Sequence, residues 1–356
     1  MRVFTIAAIL VLSATLIAQV NPPLHRSTVK TRAAIPTITL HETSRKSIAS
    51  EMGGAFMFPA KCDADGNLYI RKYATDRPLL GPIVKIDAEG KRIALFDPVA
   101  ISQFKFDRAD AFSPAPDGGL YQIAAVGITN LQIYVLHFSS DGSPSTPIRL
   151  DVEFQPFQFA VFANGNLLAS SIQRDLQNKS DPGRAYTAAF SADGRLLAQL
   201  SLDPPPEPAH ATAKSAVKLA IRDSQKSTPT LNLSDAEPSP DGDIYVLRRS
   251  SPALIYVISP AGKILRTLKI APPATGVMPN TFHVSANRVA VSFWDENTNS
   301  QTLVVTDAQT GRRIATYADP GGLGPAFACY AADEGVFTFL HLGEGNTLEV
   351  VRAEAR

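Results

Sequence analysis

The 356-residue chain carries 34 Lys and Arg against 33 Asp and Glu, for a formal net charge of +1, and is 45% hydrophobic and 19% charged. Such a balance excludes a nucleic-acid surface, which needs a basic excess, and the apolar content excludes a disordered chain. No run of like charge marks a contact with an anionic membrane.

In chain order, residues 1–20 read as an export signal, with Arg2 as a minimal positive region ahead of the apolar stretch Val3 to Ile17. The alternative is an uncleaved membrane anchor through residues 3–20, which nearly reach spanning length. The expected location is therefore periplasmic or extracellular, with membrane contact only if the segment is retained. Residues 21–34, polar and proline-containing, read as a flexible lead-in. Residues 35–356 read as one domain.

Within that domain, turns recur: Asp65-Gly66, Asp117-Gly118, Asn164-Gly165 and Asp241-Gly242, then Asn287 and Gly335. An Asp-Gly or Asn-Gly pair supplies the positive φ of a tight hairpin. The intervals run from 45 to 52 residues, with one of 77. A second turn follows in each unit but the last: Glu89-Gly90, Asp141-Gly142, Asp193-Gly194, Ala261-Gly262 and Thr310-Gly311. Alternating apolar runs such as Ile83-Val84-Lys85-Ile86 and Leu254-Ile255-Tyr256-Val257-Ile258 lie between them. Each unit thus reads as four antiparallel strands, the sequence form of a propeller blade. The expected fold is all-β, a six-bladed β-propeller of four-stranded antiparallel blades. Its last blade shows three strands, Ala326–Tyr330, Val336–Leu340 and Leu348–Val351, and its missing outer strand is assigned to Ile35–Leu40, closing the ring. The long interval holds an insertion at about 203–235, opening on Pro204-Pro205-Pro206. It reads as a tolerated insertion or as a lid, or else it hides a seventh blade.

The segments Phe58-Pro59-Ala60-Lys61-Cys62-Asp63-Ala64-Asp65-Gly66-Asn67-Leu68-Tyr69-Ile70 and Ala236-Glu237-Pro238-Ser239-Pro240-Asp241-Gly242-Asp243-Ile244-Tyr245-Val246 resemble blade hairpins of six-bladed propellers of the NHL-repeat and TolB-like kind. The resemblance covers roughly residues 50–350. It implies binding on the face opposite the hairpin turns, around the channel. It does not choose between binding proteins, lactonases and lyases. The loops of that face carry Arg71, Arg77, Arg174, Arg184, Arg248, Trp294 and Asp295 as ligand-binding candidates. The lone tryptophan either stacks on a sugar or peptide, or ends a strand and packs between blades. The arginines are anion ligands or solvated loop charges.

Seven or eight residues before the first turns stand Asp110, Gln158, Asp235 and Asn280, which innermost strands bring together. Their oxygens suit a hard cation such as Ca²⁺, the metal that lactone hydrolases of similar fold would imply. The chain departs from that pattern, with Arg71-Lys72 and Leu247-Arg248 where an acidic ligand is expected, so ordinary channel lining stays open. No Gly-x-Ser-x-Gly elbow or phosphate-binding glycine loop occurs, and the six histidines show no close metal-type spacing. His283 faces the channel or is a structural strand histidine. Cys62 and Cys329 sit near the ends of the first and last innermost strands, where export permits a disulfide; two buried thiols are the alternative. The functional expectation is a monomeric binding or scaffold module for a protein, peptide or saccharide, with no catalytic machinery evident. The second reading is a metal-dependent hydrolase or lyase.

Overall fold

A computed structural model describes residues 36–52, 56–127, 130–152, 156–173, 184–202 and 233–355. Five runs of four strands follow one another: β2–β5 (Phe56–Cys62, Leu68–Lys72, Ile83–Ile86, Arg92–Phe96), β6–β9 (Arg108–Pro114, Leu120–Val126, Gln132–Phe138, Ile148–Leu150), β10–β13 (Gln158–Val161, Leu167–Gln173, Arg184–Phe190, Leu196–Leu200), β14–β17 (Leu233–Pro238, Ile244–Arg248, Ala253–Ile258, Ile264–Ile270) and β18–β21 (Met278–Ser285, Arg288–Asp295, Ser300–Asp307, Arg313–Ala318). A sixth set joins β22–β24 (Ala326–Ala331, Val336–Leu342, Leu348–Ala355) to the N-terminal strand β1 (Thr37–Ser47).

The first strands of the sets touch in a closed cycle, β2 to β6, β10, β14, β18, β22 and back to β2. Six apolar cores lie between successive sets. Tyr69 and Phe96 meet Phe112 and Phe138 in one, and Ile70 and Ile86 meet Ala328 and Leu340 in the core that closes the circle. A sheet sandwiched between two such cores is apolar on both faces, which is why Ile83-Val84-Lys85-Ile86 is buried throughout. Lys85 is tolerated there because its ammonium pairs with Asp63 at 3.0 Å. These features define a β-propeller.

Hydrogen bonding joins the sets into four four-stranded sheets and one of eight, rather than one sheet per set. The cause is β1. Its segment Leu40–Ser47 pairs antiparallel with β24, while Thr37–Thr39 pairs parallel with β21, bridging the two last sets. The expected closing segment, Ile35–Leu40, is thereby corrected: the strand spans Thr37–Ser47, and its pairing with β24 runs from buried Leu40 through the polar residues 41–47, which lack apolar alternation because an outer edge faces solvent. The insertion also ends earlier than expected, since β14 starts at Leu233 and already contains Asp235. Residues 203–232, with any lid or seventh blade, and the signal and lead-in segments lie outside the described residues. Among the described residues no helix is long and apolar enough to cross a membrane.

The second-turn glycines explain the tight radial packing. Gly262 has φ +71°, and a Cβ there would stand 2.7 Å from Ala198 Cβ on the outer strand of the preceding set. A side chain at this turn would push two sets apart.

Candidate ligand-binding site at the channel mouth

The innermost strands begin around a cavity of about 790 Å³. Asp110, Gln158, Asp235 and Asn280 all line it, one from each of four consecutive sets, with Pro59, Lys61 and Phe327 from the other two. Alternation explains the convergence: in a strand, residues two apart share a face, and one face of each innermost strand looks down the axis.

The charges of the mouth are mostly committed to the protein. Lys61 reaches across the channel from β2 to β14, pairing with Asp235 at 2.9 Å and donating to the Ala236 carbonyl at 2.7 Å. Both side chains are only 5% exposed. Arg71 is buried and donates to the carbonyls of Ala109 and Asp110, tying the first set to the second. Burial lowers its pKa, partly offset by Asp110, and the charge persists because a guanidinium's ordinary value is so high. Asp110 lies 3.5 Å from Arg108. Gln158 lines the cavity while its amide donates to Leu233 O at 3.3 Å. Arg249 is exposed and donates through Nε to Pro279 O at 3.1 Å.

These residues do not fit a resident calcium ion. Each carboxylate already has a cation beside it, and Lys61, Arg71 and Arg249 line the same cavity. A hard divalent ion needs six or more oxygens with excess negative charge. Among the described residues, no group of three or more His, Cys, Asp and Glu side chains forms a ready metal site.

A smaller recess of about 210 Å³ shares Arg249, Asn280 and Pro325 with the mouth and adds Met278, Trp294 and Glu296. Trp294 is half-buried at the end of β19, opposite Met278 in register, so it both closes a strand and lines a recess. Of the other loop-face candidates, Arg77, Arg248 and Asp295 have partners within the chain. Arg77 makes a two-pronged pair with Asp97 at 2.7 and 2.8 Å, which raises its pKa. Arg248 donates to Leu202 O at 2.8 Å. Asp295 accepts the Asn297 backbone N–H at 2.9 Å, which lowers its pKa and builds a turn. Arg174 lies outside the described residues, and Arg184 opens β12.

Phe157, Lys61 and Glu237 escaped the sequence reading as site residues. Phe157, next to Gln158, is 58% exposed on the cavity rim. Lys61 had a signal, a lysine inside an otherwise apolar innermost strand. Below the mouth, two residues beyond Asp235 and three beyond Asn280, Glu237 pairs with His283 at 3.1 Å. Beside them Cys62 and Cys329, read from the sequence as a disulfide or two buried thiols, are joined as a disulfide, Cα atoms 6.0 Å apart across the first and last sets. Glu237 and His283 come together only through the ring.

The whole describes a β-propeller with a polar cavity at one end of its channel. No protein-family model matches the chain, and no curated protein matches it either. Among solved structures it is similar to a protein of unknown function from Dyadobacter fermentans DSM 18053, at 12% identity and TM-score 0.52, over 89% of this chain and 99% of that one. It also aligns with the Pan2 WD40 domain of Neurospora crassa (11% identity, TM-score 0.45, 90% and 98% covered). A third alignment is with a putative oxidoreductase (glucose dehydrogenase) of Thermus thermophilus (12%, 0.43, 89% and 99%). At these identities the likeness concerns fold alone.

Proposed function

We propose that the chain is an exported six-bladed propeller, with blades of the NHL-repeat and TolB-like kind, that binds a saccharide-type ligand at the channel mouth. The carrying observation is the pairing of an exposed aromatic, Phe157, with a rim of planar polar groups that donate and accept, Asp110, Gln158, Asn280 and Arg249. A sugar presents hydroxyls that do both and a C–H face that packs on an aromatic ring. Protein or peptide partners fit the cavity less well, since its charges are internally paired. The Trp294 recess adds a second aromatic wall for a further residue of an oligosaccharide.

Isothermal titration against a panel of neutral and acidic oligosaccharides tests this. Binding that falls at least tenfold in Phe157→Ala, with the melting temperature held, supports it. A panel without binders, or affinity indifferent to Phe157 and Asn280, overturns it. The export reading rests on the form of residues 1–20 and is checked by N-terminal sequencing of the secreted product. The Cys62–Cys329 bond is checked by a non-reducing digest, in which two unbridged peptides would disprove it.

A further inference from the structure

Among the described residues, three cations and two carboxylates line the mouth cavity: Lys61, Arg71 and Arg249 against Asp110 and Asp235. Lys61 and Asp235 cancel each other at 2.9 Å. Asp110 has Arg108 at 3.5 Å, and buried Arg71 beside it spends its hydrogen bonds on neutral carbonyls. Arg249 has no carboxylate within ion-pair distance among the described residues. The charge left over at the mouth is therefore positive, and a concave wall of one sign concentrates ligands of the other.

Arg249 is also held in place. Its Nε donates to Pro279 O at 3.1 Å, next to Asn280 on the cavity wall. That bond fixes one edge of the guanidinium plane and leaves its two terminal nitrogens as a fork, the shape that grips a pair of acidic oxygens. Arg249 lines both the cavity and the smaller recess, whereas Glu296 lines the recess alone. Like charges repel, so Glu296 keeps an anion out of the recess and on the cavity side of the arginine.

We infer that the sugar held at the mouth is anionic, its acidic substituent seated on the Arg249 fork. This rests on the saccharide reading and narrows its substrate class. A neutral sugar would leave the Arg249 charge without a counter-charge in the filled cavity. A uronic-acid carboxylate and a sulfate ester both present the oxygen pair that the fork matches, and the test separates them.

The full exported chain is titrated calorimetrically with oligomers of glucuronate, galacturonate and mannuronate. Each is set beside its methyl ester and its neutral parent, and sulfated galactose oligomers form a second arm. The charged member of one arm should bind about 10- to 100-fold tighter than its uncharged counterpart, the range that a charge-assisted hydrogen bond supplies. Added salt should shrink that preference in the wild type, which needs no variant to fold. In Arg249→Gln the charged and uncharged members should bind alike. Arg249→Lys should restore part of the preference, because lysine keeps the charge and loses the fork. Uncharged sugars that bind as tightly as charged ones, still through Phe157, overturn this inference and leave the saccharide reading standing. A preference that survives Arg249→Gln overturns it too. A panel without binders overturns both.

Discussion

The two ends of the channel are built on opposite principles. At the turn end a similar device recurs: a glycine at positive φ and an acidic or hydroxyl side chain folding the turn, with close approach to the neighbouring sheet at second turns such as Gly142, Gly194 and Gly262. Asp63 Oδ1 accepts the Asp65 and Asn67 N–H groups, and Asp87 does the same for Glu89 and Lys91. At the mouth the equivalent strand positions hold proline, aspartate, glutamine, aspartate, asparagine and phenylalanine. Repetition serves packing, which is the same problem six times over. Variety serves recognition, where each side chain meets a different part of one ligand. At and just below the mouth lie two pairs that join different sets, Lys61–Asp235 across the channel and His283–Glu237 between neighbouring sets.

The largest effect should come from the pair that crosses the channel. Lys61→Met leaves Asp235 buried without its ammonium and should cost about 3–5 kcal/mol in urea denaturation. The double variant Lys61→Met with Asp235→Leu should regain most of it. Equal losses in both would show that the pair is not coupled.

A glycine pair sharpens the turn end next. Gly262→Ala meets both positive φ and the methyls of Ala198 and Ala189, and should lose about 2–4 kcal/mol. Gly66→Ala has the same φ problem with open space around it, and should lose about 1 kcal/mol. If the two variants melt alike, inter-sheet approach is not what the second turns supply.

Asn280→Ala at the mouth should leave the denaturation midpoint within about 0.5 kcal/mol of wild type, because nothing among the described residues leans on its amide. It should still weaken oligosaccharide binding about tenfold, as loss of a polar group in a desolvated site does. The smallest effect concerns acid. His137 stacks on Tyr121 at 4.2 Å, with Ser145 Oγ 3.4 Å from Nδ1 and Asp117 4.0 Å from Nε2. Burial pulls its pKa below the usual histidine value, and Asp117 opposes this only in part. The unfolded chain then binds the proton more readily, so stability present above pH about 6.5 is lost as pH falls toward the folded value. His137→Gln should flatten that decline in pH-dependent melting curves.

The hairpins were legible in the chain because their causes are local: Asp241-Gly242 needs no distant residue to bend, and Leu254–Ile258 carries its own strand pattern. Spacing from those turns also picked out Asp110, Gln158, Asp235 and Asn280, since equal steps along equivalent strands end at equal depths. The closing strand was only half legible. Residues 41–47, His-Glu-Thr-Ser-Arg-Lys-Ser, show no alternation, and only the exposed edge of the last set makes a strand of them. Phe157 carried no signal, because exposure is a property of what does not cover a side chain.

The amino-acid order alone determined the repeating sheet, its turns and the depth at which each polar residue would sit, because those follow from backbone preference and side-chain alternation over a few residues. Which charges would cancel was decided by closure of the ring. Lys61 and Asp235 come from the first and fourth sets, far apart in sequence, yet pair across the channel at 2.9 Å. Electrostatics depends on that distance, and only the circle sets it.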